Sequence, residues 1–219
     1  MHSVILIVGD DIENILEQYD ENLEVEPYED VEFDIDEMIK HYLNEFEEFG
    51  QELKDDIKFL EYLKDKMDEW NGCLGAIEDG ILKAYTTYNP DGRWDWYEVG
   101  GRWAGFFKIK KEISDVHELG TSGVFNNSPK FDADIAYKKD IDFIGMKKEL
   151  IKNAEMEWDA GPTSIVETKE EYVARRSNMY TTAIIKDGDW IEIHNNEHYN
   201  EILDTINDDE LLTIVDIHY

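Results

Sequence analysis

The sequence predicts an α+β fold: an antiparallel, ferredoxin-like sheet with helices on one face and a long helical and hairpin insertion. Three observations carry this. The chain opens on a strand followed by a helix, and it closes on two strands, a helix and a strand. A short antiparallel sheet backed by helices accommodates that order. The long middle carries helical periodicity and one strong turn signal, with no internal repeat and no extended linker, so a single unit of 219 residues is expected, with an acidic helical insertion over residues 35–70.

The elements follow in order. Residues 2–8, HSVILIV, form a short apolar, β-branched run ended by Gly9 and read as a buried strand. Asp10 or Asp11 then stands where an N-cap belongs, ahead of IENILEQY, whose Ile12, Ile15, Leu16 and Tyr19 share one helical face. The acid-rich stretch 20–34, with Pro27, predicts a loop or extended segment. From Ile35 to Trp70 apolar residues fall three or four apart, with Gly50 as the break between two helices. ILKAYTTY (81–88) reads as a strand, Asn89-Pro90-Asp91-Gly92 as a turn, and RWAGFFKIK (102–110) as a further strand-like run. Residues 112–142 are polar and irregular, and 143–158 are helical. MYTTAIIKDGDWIEI predicts a β-hairpin around Asp187-Gly188, HYNEILDTI a short helix, and LLTIVDIHY a closing strand.

Composition limits the classes of function. Hydrophobic residues make up 42% and aromatic residues 12%, which suits a folded chain. Against 53 acids stand 21 bases, a formal charge of −32. A nucleic acid or an anionic membrane needs lysine and arginine opposite its phosphates, so neither is expected as a direct partner. The excess is uneven: residues 1–70 hold 24 acids and 5 bases, a net of −19, whereas residues 71–150 hold 13 and 11, a net of −2. Cys73 is the only cysteine, which rules out an internal disulfide and fits a reducing, cytoplasmic compartment. The start MHSVILIVGDD lacks the basic region of a signal peptide, and no apolar run approaches the ~18 residues of a membrane helix.

Three stretches, GDDIENILEQYDENLEVEPYE, NPDGRWDWYEVGGRWAGFF and DDELLTIVDIHY, resemble in order and placement a family of uncharacterised proteins of bacteriophages and some bacteria. Members share a "YDEN" start followed by an acidic "VEPY", a central "WDWY–GGRW" segment and an end like "LLTVVDCH". The resemblance covers both ends and the middle of the chain. It supplies no activity; it implies a phage-type accessory or counter-defence role. Where family members carry a Gly-Trp-rich segment after the last hairpin, this chain has HNNEHYN.

Candidate site residues fall into two groups. In WDWY–GGRW, strand alternation places Trp94 and Trp96 on one face and Asp95 and Tyr97 on the other, ahead of Gly100-Gly101, Arg102 and Trp103. Such a cluster could stack a nucleotide-like ring and hold its phosphate through Arg102. The same residues equally serve as core packing, with Asp95 tying a turn and Arg102 answering an acid. The second group is the acidic face of Glu45, Glu47, Glu48, Asp55, Asp56, Glu61, Asp65, Asp68 and Glu69, whose carboxylates have few lysines for i,i+4 pairing. Rigid helices bearing carboxylates can imitate duplex phosphates.

Smaller signals are weaker. In a ferredoxin-like sheet His2 lies near His218 and Asp216, but neither histidine belongs to an HxxxH or HxH pair, so no metal and no cofactor is expected. His117, His194 and His198 read as solvated, and GTSG (120–123) lacks the lysine of a phosphate loop. No G-x-S-x-G, H-E-x-x-H or C-x-x-C motif occurs and no catalytic residue is assigned. The leading expectation is a non-enzymatic counter-defence inhibitor whose acidic surface occupies the nucleic-acid-binding face of a basic host protein. The alternative is a protein that binds or cleaves a nucleotide-like molecule at the WDWY–GGRW segment.

Overall fold

The fold comes from a computed structural model, which describes residues 1–47, 57–67, 73–111, 121–122, 131–161 and 167–219. It is α+β, with six α-helices and two sheets among these residues. The chain forms two compact units. One comprises Met1–Asp20 with Arg93–Tyr219, and the other Glu21–Gly92. The helical stretch expected at 35–70 lies inside the second unit, whose bounds are wider and which carries its own strands.

In the first unit, β1 (His2–Val8) pairs along its length with β10 (Leu211–His218), antiparallel, from His2 opposite His218 to Val8 opposite Leu212. The expected neighbourhood of the first and last strands is therefore present. The other neighbour of β1 is β8 (Ala183–Lys186), which runs parallel to it, and β9 (Asp189–Glu192) closes that edge. A ferredoxin-like order would instead set the second hairpin strand, antiparallel, beside β1. The hairpin's composition explains the difference: Ala183, Ile184 and Ile185 are all buried, whereas Asp189 and Glu192 are exposed, so the apolar strand takes the interior position. The hairpin turn has positive φ at Asp187 and Gly188, 56° and 86°, the geometry that Asp-Gly favours.

On its far side β10 is shared. Leu211–Thr213 pair with β7 (Ile135–Tyr137), and Val215–His218 pair with β5 (Trp96–Gly101). The two-residue β6 (Thr121–Ser122) runs parallel to β5 at the edge. Residues 102–110, read as a strand from sequence, form no strand of the sheet; isolated bridges, Phe107 with Ala133 and Ile109 with Ile141, tie them to residues on either side of β7. Gly105, at φ +83°, turns the backbone out of extended geometry there.

Helices cover both faces of this sheet, not one. Ile5, Ile7, Val215 and Ile217 pack with Ile12, Ile15 and Leu16 of α1 (Ile12–Glu17), which Asp11 caps. Val4, Leu6, Leu212 and Ile214 pack with Met146 of α4 (Phe143–Asp159) and with Tyr199 and Leu203 of α6 (Asn196–Asp204). The physical reason is the unbroken apolar run of β1, which offers large side chains to both sides and so needs two covers. Between α4 and α6 in sequence, α5 (Lys169–Arg176) begins with a capping box of Thr168 and Glu171.

The second unit holds a three-stranded antiparallel sheet ordered β2 (Tyr28–Glu29), β4 (Ile81–Thr86) and β3 (Leu74–Glu78). Its core gathers Met38 and Tyr42 of α2 (Ile35–Glu47), Phe59, Leu63 and Met67 of α3 (Ile57–Met67), and Leu82 and Ala84. The Asn89–Gly92 turn forms as read: the Asn89 carbonyl accepts from Gly92 N–H at 3.0 Å, and its side chain accepts from Asp91 N–H at 3.0 Å. Cys73 is buried, and burial, then the nearby Asp30 charge, pushes its thiol pKa up, which disfavours the thiolate form. Among the described residues no helix is long and apolar enough to cross a membrane.

Candidate functional site

The WDWY–GGRW residues do not form one wall. Trp94 precedes β5, tied by a bridge to Asp20, so strand alternation starts two residues later than the sequence suggests. Trp94 is buried, its indole N–H donates to the Leu16 carbonyl at 3.1 Å, and its ring meets Tyr97 edge-on at 5.0 Å. Both rings belong to the core under α1. Burial, then the Glu13 charge, raises the Tyr97 pKa. Trp96 is instead 46% exposed and shares no face with Trp94.

On the side of Trp96 a different set converges. The Asp216 side chain is 1% exposed, and His2 Nδ1 lies 2.9 Å from its Oδ1. Its Oδ2 accepts the Arg102 backbone N–H at 3.0 Å. Gly100 and Gly101, at φ +73° and +50°, curl the chain back so that this amide reaches the carboxylate. At the strand end, His218 Nδ1 lies 2.8 Å from Asp95 Oδ1. The His2 and His218 rings stand 4.9 Å apart, and His2 meets Trp96 at 6.0 Å, edge-on in both cases. The expected approach of His2, Asp216 and His218 is thus present. Asp95 joins them because an antiparallel partner opposite His218 brings the residues around Trp96 to the same end. Among the described residues no group of three or more His, Cys, Asp or Glu is arranged to hold a metal ion.

Trp103 lies elsewhere, partly buried against the opposite core. With Val4 and Phe106 it borders a cleft of about 310 Å³ whose other wall includes Leu150 and Asn153 of α4 and Arg176 of α5. Arg176 is engaged by Glu157, with Nε 3.0 Å from Oε2 and a second nitrogen 3.2 Å from Oε1. A second, shallower cleft of about 400 Å³ beside α1 is lined by Asp11, Glu13, Glu17 and Asp20 with Trp94 and Tyr97.

Of the acidic face, Glu61 and Asp65 are exposed on α3, and Glu45 and Glu47 fall in the last turn of α2. Glu48, Asp55, Asp56, Asp68 and Glu69 lie outside the described residues, as do His117 and Gly120 and Gly123 of GTSG. The unit Glu21–Gly92 holds 22 acids and 6 bases, a net of −16 in 72 residues, half of the chain's charge in a third of its length. Glu24, Glu26, Glu32, Asp34, Asp36 and Glu37 are exposed along its first half. Lys83 is spent twice over, 3.0 Å from Glu29 and 3.1 Å from Glu78, and these bonds raise its pKa.

Two further carboxylates, Asp134 and Asp140, are buried at positions that no sequence motif singles out. Asp134, fully buried, accepts N–H bonds from Gly105 at 2.8 Å and Phe106 at 2.9 Å. It anchors the irregular 102–110 segment, and the local signal for it is its place between Ala133 and Ile135. His194 and His198 stack at 5.4 Å. A scan of protein-family models, a search of curated proteins and a search of solved structures each return no match to this chain.

Proposed function

We propose that this chain acts by binding, as a phage-type counter-defence inhibitor whose acidic surface occupies the nucleic-acid-binding face of a basic host protein. The observation that supports the reading most is the charge of the Glu21–Gly92 unit: 22 acids with 6 bases, its described carboxylates exposed along the 24–37 stretch and on α3. Carboxylates presented on a folded surface carry the field that a basic groove meets in a phosphate backbone, and they steer encounter at long range. The WDWY–GGRW segment supplies architecture in this reading. Trp94 and Tyr97 pack the core, and the Gly100–Arg102 turn closes on Asp216.

The test is competition. The untagged chain displaces duplex DNA from a purified basic DNA-binding protein recovered with it from host cells. Reversing Glu32, Asp36, Glu61 and Asp65 to lysine removes that displacement while the thermal melt stays in place. If the charge-reversed chain displaces DNA as well as the parent does, the reading fails.

A further inference from the structure

We propose that His2 and His218 form an open surface site for a divalent cation of the zinc or nickel class, with Asp216 and Asp95 as their orienting partners. The inference stands apart from the acidic-surface reading and rests on the first unit alone.

Each imidazole is held through the same atom. Nδ1 of His2 meets Asp216 and Nδ1 of His218 meets Asp95, at 2.9 and 2.8 Å. An ionised carboxylate only accepts, so in each neutral ring Nδ1 carries the proton and Nε2 carries the lone pair. Among the described residues neither Nε2 makes a hydrogen bond. A histidine whose Nδ1–H is given to a carboxylate has a fixed tautomer, a fixed ring and a more basic Nε2, which is the arrangement metal-binding histidines use. Two such nitrogens on one tetrahedral ion, at bonds of about 2.0–2.1 Å, stand roughly 3.3 Å apart, and the two ring centroids lie 4.9 Å apart.

Charge decides between a cation and an anion. The same end of the sheet carries Asp95, Asp216 and, opposite Asp216 on β5, Glu98, in a chain of −32. A phosphate would meet that field unfavourably, and a divalent cation gains from it. The buried setting of Asp216 and the exposure of His218 give one rigid ligand and one accessible ligand. Two protein nitrogens leave at least two coordination positions to water or to a group on another molecule, so the site binds reversibly and is not a closed structural centre.

Untagged protein is titrated with Ni²⁺ and with Zn²⁺ by calorimetry, and its histidine Cε1–H resonances are followed by NMR as Ni²⁺ is added. One equivalent binds, and the His2 and His218 resonances broaden before those of His41, His117, His194 and His198. His2→Gln and His218→Gln each weaken binding at least ~tenfold, and Asp95→Asn weakens it about tenfold. His194→Gln leaves it unchanged. The proposal is overturned if no stoichiometric binding occurs up to millimolar metal, if His194 and His198 broaden first, or if the His2→Gln/His218→Gln double variant binds as the parent does. The NMR order requires no variant, so it decides the matter even where a substitution perturbs folding.

Discussion

Gly101 and Asp216 are matched at the level of single atoms: a Cβ built on Gly101 would lie 2.5 Å from Cβ of Asp216. Gly101 also sits at φ +50°, where L side chains are strained. The absent side chain is what lets the Arg102 amide reach the buried carboxylate. Gly101→Ala therefore loses both the backbone geometry and the fit, and it destabilises the first unit by about 2–4 kcal/mol. Urea unfolding of the variant against the parent measures this.

Asp134 predicts a second large effect. Truncation to alanine leaves the Gly105 and Phe106 amides buried without an acceptor, and each such group costs about 1–3 kcal/mol. Asp134→Ala unfolds several degrees or more below the parent in a thermal melt, and Asp134→Asn, which keeps one acceptor oxygen, loses less.

α5 is held by carboxylates that acid removes. The Tyr172 hydroxyl first, then Arg176, keeps Glu157 below the ordinary carboxylate range. Arg175 does the same for Glu167, and the Thr168 backbone N–H does so for Glu171 of the capping box. A depressed pKa means that the stabilisation is present above the unfolded value, about 4.3 for glutamate, and is lost as pH falls through the folded one. Amide protection factors in Lys169–Arg176, corrected for the intrinsic exchange rate at each pH, are expected to fall below about pH 4.3, before those of β1 and β10. Glu157→Gln gives faster exchange at neutral pH and removes part of the pH dependence.

The Tyr199 hydroxyl is buried with no hydrogen-bond partner in the described structure, and burial raises its pKa. A group that loses water without gaining a partner opposes folding. Tyr199→Phe keeps the ring and sheds that cost, so it is neutral or stabilising by up to about 1 kcal/mol in chemical denaturation.

Much of the fold was legible where periodicity and turn chemistry agree. HSVILIV, the Lys186–Asp189 hairpin and LLTIVDIHY each form close to their expected bounds, because a β-branched run flanked by glycine or Asp-Gly has few other solutions. The order of the strands was not legible. Which hairpin strand sits beside β1 depends on the relative burial of AII and DWIE, a comparison between segments 180 residues from the first strand. Strand β4 forms where ILKAYTTY places it, but two elements have only local signals that the periodicity does not show: β3, joined to β4 through Asp79-Gly80, both at positive φ, and α5 behind its Thr168–Glu171 box.

The site divides the same way. The approach of His2, Asp216 and His218 followed from the pairing of the terminal strands alone. The expected Trp94–Trp96 face failed because alternation holds only inside a strand, and β5 begins at Trp96. Asp95 meets His218 for a tertiary reason, the pairing of β5 with β10, that spacing along the chain does not encode.

The central claim concerns charge, and salt tests it most directly. The association rate constant of the chain with its basic partner, followed by stopped flow from low to moderately high salt, is predicted to fall at least ~tenfold while the dissociation rate changes far less, as screening removes long-range steering. A rate constant that stays level across the same salt range contradicts the account.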